Sequence, residues 1–302
     1  AFSLFVDGRN VASGGRVSAT GEHAIAAFSP QIVRLDCSGA ETELVLQVSN
    51  YHYRIGGPWR TVWIGDENTL RSRVLIRSLF FMFLMGAIMT IGAYHLVLHY
   101  FRREDKQFLF FSMFCFFVAF RILVSGGYFL SQFFPAIDFS LLARIEFLSM
   151  VFCLAGFAFF VRSILPDDAS LAMDWIAVAF SVVMTLFVLL FPVRIFSWSV
   201  YPIYAFFGIL SLWSAAVFIR AMKRRRPGAS ALFVGGLILS ATALSDILHA
   251  SFIVRIGPLL PLGLFFFIFI QAIVLSHQFA CMFSTVRKMS EELTSLNRNI
   301  EG

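Results

Sequence analysis

Seven apolar runs, each long enough to cross a bilayer, constrain this chain more than any other feature. A spanning helix needs about 20 such residues, because its backbone polar groups must be satisfied within the segment once water is gone. The runs centre on 78–101, 108–125, 141–162, 171–191, 199–220, 229–250 and 259–281, and polar stretches such as "RREDKQ", "PDDAS" and "KRRRPG" separate them. Composition agrees: 59% of the 302 residues are hydrophobic and 14% charged, where an average globular domain is roughly 25% charged. The expected fold is membrane α-helical, with seven transmembrane helices over 75–281.

Residues 1–74 follow a different pattern. Short apolar runs alternate with turn signals in "SLFVDGRN", "AIAAFSPQIVRL", "ETELVLQVSN" and "WRTVWIGD". Glu43 to Val48 is rich in strand formers, and Asp7-Gly8 suits a tight turn between strands. This spacing predicts an all-β, sandwich-like domain. Some 74 residues is small for a sandwich, so a secretion signal and further strands are expected ahead of Ala1.

Basic residues orient the helices. Arg102, Arg103 and Lys106 follow the first run, Arg162 the third, Lys223 to Arg226 the fifth, and Arg287 and Lys288 the seventh. The alternate loops hold only Arg194 and Arg255. Positive loops stay in the cytoplasm, which places the N-terminal domain outside and the C-terminus inside. Arg71, Arg73 and Arg77 oppose this trend, but a folded domain translocates largely regardless of charge. The net charge of +6 therefore reads as orientation, and no base-reading motif points to nucleic acid. All three lysines, Lys106, Lys223 and Lys288, lie in loops or tail, which excludes a retinal Schiff base. The Asp-Arg-Tyr and Asn-Pro-x-x-Tyr signatures of G-protein-coupled receptors are missing as well. Cys37, Cys115, Cys153 and Cys281 form no disulfide framework. Neither a nucleophile–base pair nor a metal motif appears, so no cofactor is expected and any catalysis is expected beyond Gly302.

Three stretches carry a family resemblance: "ELVLQVSNYHYRIGGPWRTVWIGD", "FMFLMGAIMTIGAYHLVLHYFRREDKQFLFFSMF" and "FIQAIVLSHQFACMFSTVRKMSEELTSLN". The chain resembles the bacterial seven-transmembrane receptors with diverse intracellular signalling modules. That resemblance implies a jelly-roll sensor domain at 1–74, in the periplasm, and a seven-helix region at 75–281 in the inner membrane. It also implies a signalling helix at 282–302 that feeds a histidine kinase, diguanylate cyclase, adenylate cyclase or phosphatase. The jelly roll looks like carbohydrate-binding modules, which makes a small-molecule or glycan ligand the expectation.

Three groups of residues are candidates for function. Arg121, Arg144, Glu146, Asp246 and His249 fall in the outer third of the helices, where charged groups are costly. They form either a polar relay or a static network of ion pairs and snorkelling side chains. Tyr51, His52, Tyr53, Arg54 and Trp59 crowd one loop, which either stacks on sugar rings or docks on the membrane interface. In the tail, Phe279, Met282, Val286, Met289, Leu293, Leu296 and Ile300 are spaced alternately by three and four, a heptad seam in phase with Leu275. This seam predicts a C-terminal coiled-coil helix, which joins two copies as a parallel homodimer or packs on its own bundle. His95 and His99 sit four apart but lack further ligands. A transporter or channel using the intramembrane charges is the alternative function, although no inverted repeat supports it.

Overall fold

A computed structural model of the chain describes residues 1–28, 31–35, 41–57, 62–125, 129–134, 137–250 and 259–301. Cys37 and Trp59 lie outside the described residues. Strands β1 (Phe2–Val6), β2 (Arg9–Gly14) and β3 (Leu44–Val48) form one antiparallel sheet in the order β2-β1-β3. Asp7 and Gly8 form the β1–β2 turn with φ of 48° and 78°. Positive φ at both turn positions matches the right-handed twist of the flanking strands. Asp7 also fixes the third strand: its N–H donates to Glu43 O (3.0 Å), and its Oδ1 accepts from Glu43 N–H (2.9 Å). Of the remaining predicted strand segments, "AIAAFSPQIVRL" contributes one bridge, Arg16 to Ile25. Val62, Trp63 and Ile64 form no strand and are exposed.

The helices are α1 (Glu67–Phe101), α2 (Lys106–Ser125), α3 (Phe129–Phe133), α4 (Phe139–Ile164), α5 (Leu171–Leu190), α6 (Val193–Phe196), α7 (Val200–Lys223), α8 (Ala229–Ala250) and α9 (Leu260–Glu301). A single 3-10 turn, Ser197–Ser199, joins α6 to α7. Among the described residues, seven helical stretches are long and apolar enough to span a membrane. They comprise α1, α2, α4, α5, α6 with α7, α8 and the first part of α9. Helix α1 starts at Glu67, earlier than the apolar run predicts. Asp66 caps it by accepting from Thr69 N–H (3.0 Å), and a Glu67–Arg71 ion pair (2.8 Å) supports its polar first turns. At the other end of the chain, α9 runs unbroken for 42 residues from apolar segment into polar tail.

The chain divides into two compact units, 1–160 with 171–207 and 161–170 with 208–302. Phenylalanine holds the first unit together. Phe114 stacks on Phe160 (5.9 Å) and Phe117 on Phe152 (5.8 Å) between α2 and α4, and Phe180 on Phe206 (4.1 Å) between α5 and α7. Lipid tails are as apolar as these rings, so shape-matched van der Waals contact, rather than water exclusion, selects these pairings. A second core joins Ala143, Phe147 and Val151 of α4 to Val188, Phe196, Val200 and Ile203.

Glycine governs the second unit. A methyl on Gly263 of α9 would lie 1.9 Å from Thr242 Oγ1 of α8, and one on Gly235 would lie 3.3 Å from Phe267. At the turn before α8, Gly228 (φ +81°) abuts Val274, whose Cγ1 would be 2.5 Å from an added methyl. Small residues let membrane helices approach closely, and here glycines of α8 and α9, and of the turn before α8, receive the side chains of Thr242, Phe267 and Val274.

Candidate functional site

The loop after β3 is shaped by Asn50. Its Oδ1 accepts from Tyr53 N–H (3.1 Å) and its Nδ2 donates to Tyr53 O (2.8 Å), so the chain folds back over the amide. Gly56 sits so close that a methyl there would be 3.1 Å from Asn50 Cβ, and Gly57 takes φ +99°. The run from Ser49-Asn50 through Arg54 to Gly56-Gly57 is thus a single structural device that presents Tyr53 and Arg54.

Both side chains reach the helices. Arg54 N–H donates to Ser197 Oγ (3.2 Å) and Arg54 Nη1 to Tyr201 OH (3.4 Å), while the guanidinium lies 5.4 Å from the Tyr201 ring and 6.0 Å from the Tyr53 ring. Tyr53 meets Phe139 at the start of α4 edge-on at 6.3 Å, and Phe28 approaches the same ring at 5.0 Å. Tyr51 turns the other way, donating from its hydroxyl to Ala19 O (2.6 Å) within the N-terminal region. His52 is half-buried between them. Sheet and helices are therefore joined through an arginine held between aromatic faces.

The intramembrane residues divide by task. Arg121 of α2 faces α4, with Nη1 3.7 Å from Glu146 Oε1, 3.1 Å from Glu146 O and 3.4 Å from Ser149 Oγ. Arg144, two residues from Glu146 and so on another face of α4, donates to the carbonyls of Val188, Leu189 and Phe191. Those carbonyls close α5, where Pro192 offers no N–H and the helix dipole favours a cation. In the second unit, Asp246 Oδ1 accepts from Leu259 N–H (2.7 Å) and Oδ2 from Leu260 N–H (3.1 Å). His249 lies three residues further along α8. Arg121, Arg144 and Glu146 belong to the first unit, and Asp246 and His249 to the second.

His95 is fully buried, with Nδ1 2.8 Å from Ile91 O and the Phe111 ring edge-on at 4.6 Å. Among the described residues, no three His, Cys, Asp or Glu side chains converge as metal ligands. In the tail, Val286 and Met289 are exposed, while the side chains of Phe279, Met282, Leu293, Leu296 and Ile300 lie outside the described residues.

Another polar cluster escapes sequence reasoning, which takes Arg224 to Arg226 only as an orientation signal. Helix α7 ends in a Schellman turn: Arg226 N–H donates to Ala221 O and Arg225 N–H to Met222 O, both at 2.9 Å, with Arg225 at φ +54°. This turn brings Arg224 Nη1 to Asp168 Oδ1 (2.9 Å) and Arg226 Nη2 to Asp167 Oδ2 (2.6 Å). Arg220 adds a hydrogen bond to Asp168 O (3.2 Å), and the Asp168 side chain is only 1% exposed. The available signal is parity, since "PDDAS" and "KRRRPG" follow runs three and five and so lie on the same membrane side.

Neither the curated proteins nor the solved structures include a match to this chain. A family model does match: the one described as 7TM diverse intracellular signalling aligns with residues 77–278, more than half of the chain and all seven apolar helices. With that match and seven spanning helices, the chain belongs to the 7TM diverse intracellular signalling family of seven-transmembrane receptors.

Proposed function

We propose that this chain is the sensing and transmitting part of a receptor of the bacterial inner membrane. Its N-terminal β domain faces the periplasm and binds a small molecule, with a carbohydrate as the leading class. Its C-terminal helix enters the cytoplasm and pairs with a second copy, driving an output domain beyond residue 302. The observation that carries this reading is the seat of the Asn50–Arg54 loop on α4 and α7. A domain attached to helix ends by side chains, and not only by the chain, can transmit a displacement to them. Exposed Leu44, Val45, Leu46 and Val48 on edge strand β3 support a larger β domain of jelly-roll type, because an apolar edge invites further strands. The Tyr53 and Arg54 contacts favour docking over sugar stacking for this loop. Transport draws less support, since Arg121, Arg144 and Asp246 are engaged by Glu146 and by helix ends.

Cross-linking tests the proposal in native membranes. With the native cysteines replaced, Val286→Cys and Met289→Cys on the seam should bridge efficiently, and Lys288→Cys off the seam should not. Arg54→Ala, some 230 residues earlier in the chain, should change the Val286 to Met289 bridging ratio by severalfold. Equal bridging at all three positions sinks the parallel dimer. A ratio indifferent to Arg54 sinks the loop's part in transmission.

A further inference from the structure

Long helices need their first N–H groups satisfied, and this chain does so in two ways. Asp66 immediately precedes α1 and accepts from Thr69 N–H (3.0 Å). Asp138 immediately precedes α4 and accepts from Ser140 and Leu141 N–H (2.7 and 3.2 Å). These are local caps that move with the helix they serve. Helix α9 is capped from outside. The carboxylate that takes the Leu259 and Leu260 N–H groups belongs to Asp246 of α8, 13 and 14 residues upstream.

A carboxylate with one oxygen on each of two amides, at the positive end of a 42-residue helix, is a strong attachment in a lipid setting. One turn away the two helices leave no slack. Thr242 is one turn before Asp246, Gly263 is one turn after Leu259, and a methyl on Gly263 would overlap the Thr242 hydroxyl. That hydroxyl is itself tied back to Ile238 O and Leu239 O, both at 3.0 Å, so its position is fixed by α8. Lengthwise or rotational movement of α8 must therefore either carry the start of α9 with it or break the carboxylate–amide pair.

We propose that Asp246 is a coupling residue, a cap supplied by the neighbouring helix through which displacement of α8 is passed to the output helix α9. The inference rests on the receptor reading in that α9 is taken as the output element. It assigns Asp246 a positioning role at the head of that helix. It also explains why an acid is kept within an apolar helix: its carboxylate oxygens accept from backbone amides.

The test uses the full chain in lipid nanodiscs and reads α9 at its head and at its middle. Hydrogen exchange of the Leu259, Leu260 and Leu262 amides reports the cap, and thiol labelling of exposed Cys281, with Cys37→Ser and Cys153→Ser in the background, reports α9 just past its apolar segment. Asp246→Ala should speed exchange at Leu259 and Leu260 by about tenfold, the scale of a lost charged cap. It should also change the Cys281 labelling rate at least about threefold, since freeing the head of the helix lets the part beyond the apolar segment shift. Asp246→Glu should retain most of the parent's behaviour, and Asp246→Asn, which keeps one acceptor, should fall between. Should the alanine variant not assemble, the asparagine and glutamate variants decide by their order. Unchanged exchange overturns the cap, and faster exchange with unchanged Cys281 labelling makes it merely structural. Because neither readout needs ligand or effector, dimer failure in cross-linking would count against the receptor reading and leave this result standing.

Discussion

The two attachments in this molecule are built from opposite materials. Where the Asn50–Arg54 loop meets the helices, side chains carry most of the contact: the Tyr53 ring on Phe139 at 6.3 Å, a guanidinium over Tyr201 and its 3.4 Å hydrogen bond, beside one backbone N–H on Ser197 Oγ at 3.2 Å. Where α8 meets α9, a side chain lies directly against glycine backbone, leaving no room for a methyl, and a carboxylate holds two amides at 2.7 and 3.1 Å. Aromatic and cation–π contacts have broad minima and tolerate sliding at a cost of about 1 kcal/mol. Close-packed helices do not, because repulsion rises steeply below contact distance. One attachment is compliant and suits small shifts of a neighbouring domain; the other is stiff and suits passing a shift onward undiminished.

That contrast breaks most directly at Gly263. Its alanine variant places a methyl 1.9 Å from Thr242 Oγ1 and 2.8 Å from Thr242 Cβ, so rotating the hydroxyl away does not relieve it. The helices must separate, which overpacking values put at about 1–3 kcal/mol. Gly263→Ala should unfold at clearly lower denaturant in detergent, and Thr242→Gly in the same chain should restore most of the loss. An alanine variant as stable as the parent would mean that the hairpin is not stiff. Gly228→Ala comes next, combining a left-handed φ with contact to Val274, at about 1–2 kcal/mol. Here Val274→Ala should recover only the steric part, leaving the backbone cost in place.

How legible these features are in the sequence follows from what hydropathy encodes. The seven apolar runs are visible because lipid selects for them, and Asp7-Gly8 because few residue pairs accept two positive φ angles. The unbroken α9 is visible because the heptad phase carries through from Leu275 into the tail. The start of α1 is not, since its first turns are polar and a span is recognised only where it becomes apolar. Polar partners are harder still. Arg144 and Glu146 look like one cluster two residues apart, yet they engage different helices, and no period in the sequence says which helix lies on which face. Asp246 carries no capping signature because the amides it serves are on the next helix.

On the compliant side, Arg54→Ala should loosen the seat by about 1 kcal/mol, the scale of an exposed cation–π contact with one long hydrogen bond to Tyr201 OH, since the backbone bond to Ser197 survives. Exchange at residues 50–55 should rise several-fold while Leu259 and Leu260 stay protected, since a shift can reach α9 with its cap intact; a rise at both places would mean that loosening the loop also opens the cap. Arg54→Lys should recover little, because an ammonium keeps the charge but not the planar stack on Tyr201.

The smallest effect belongs to the Asp167–Arg226 pair, whose enclosed neighbour Asp168 sharpens the comparison by placing both kinds of contact within two residues. The Asp167–Arg226 pair is close, at 2.6 Å, but its side chains are 66% and 43% exposed, so water and salt screen it. Asp167→Asn should therefore cost no more than about 0.5 kcal/mol, vanishing at high salt. Asp168 is enclosed, with Arg224 at 2.9 Å and Arg226 at 3.8 Å. Neutralising it removes the acid from beneath two arginines, so Asp168→Asn should cost more than its neighbour and keep most of its effect in salt. Denaturant midpoints at low and high ionic strength separate the two. Equal, salt-sensitive losses would mean that Asp168 is as solvated as Asp167, and that this end of the second unit is compliant like the loop at Arg54.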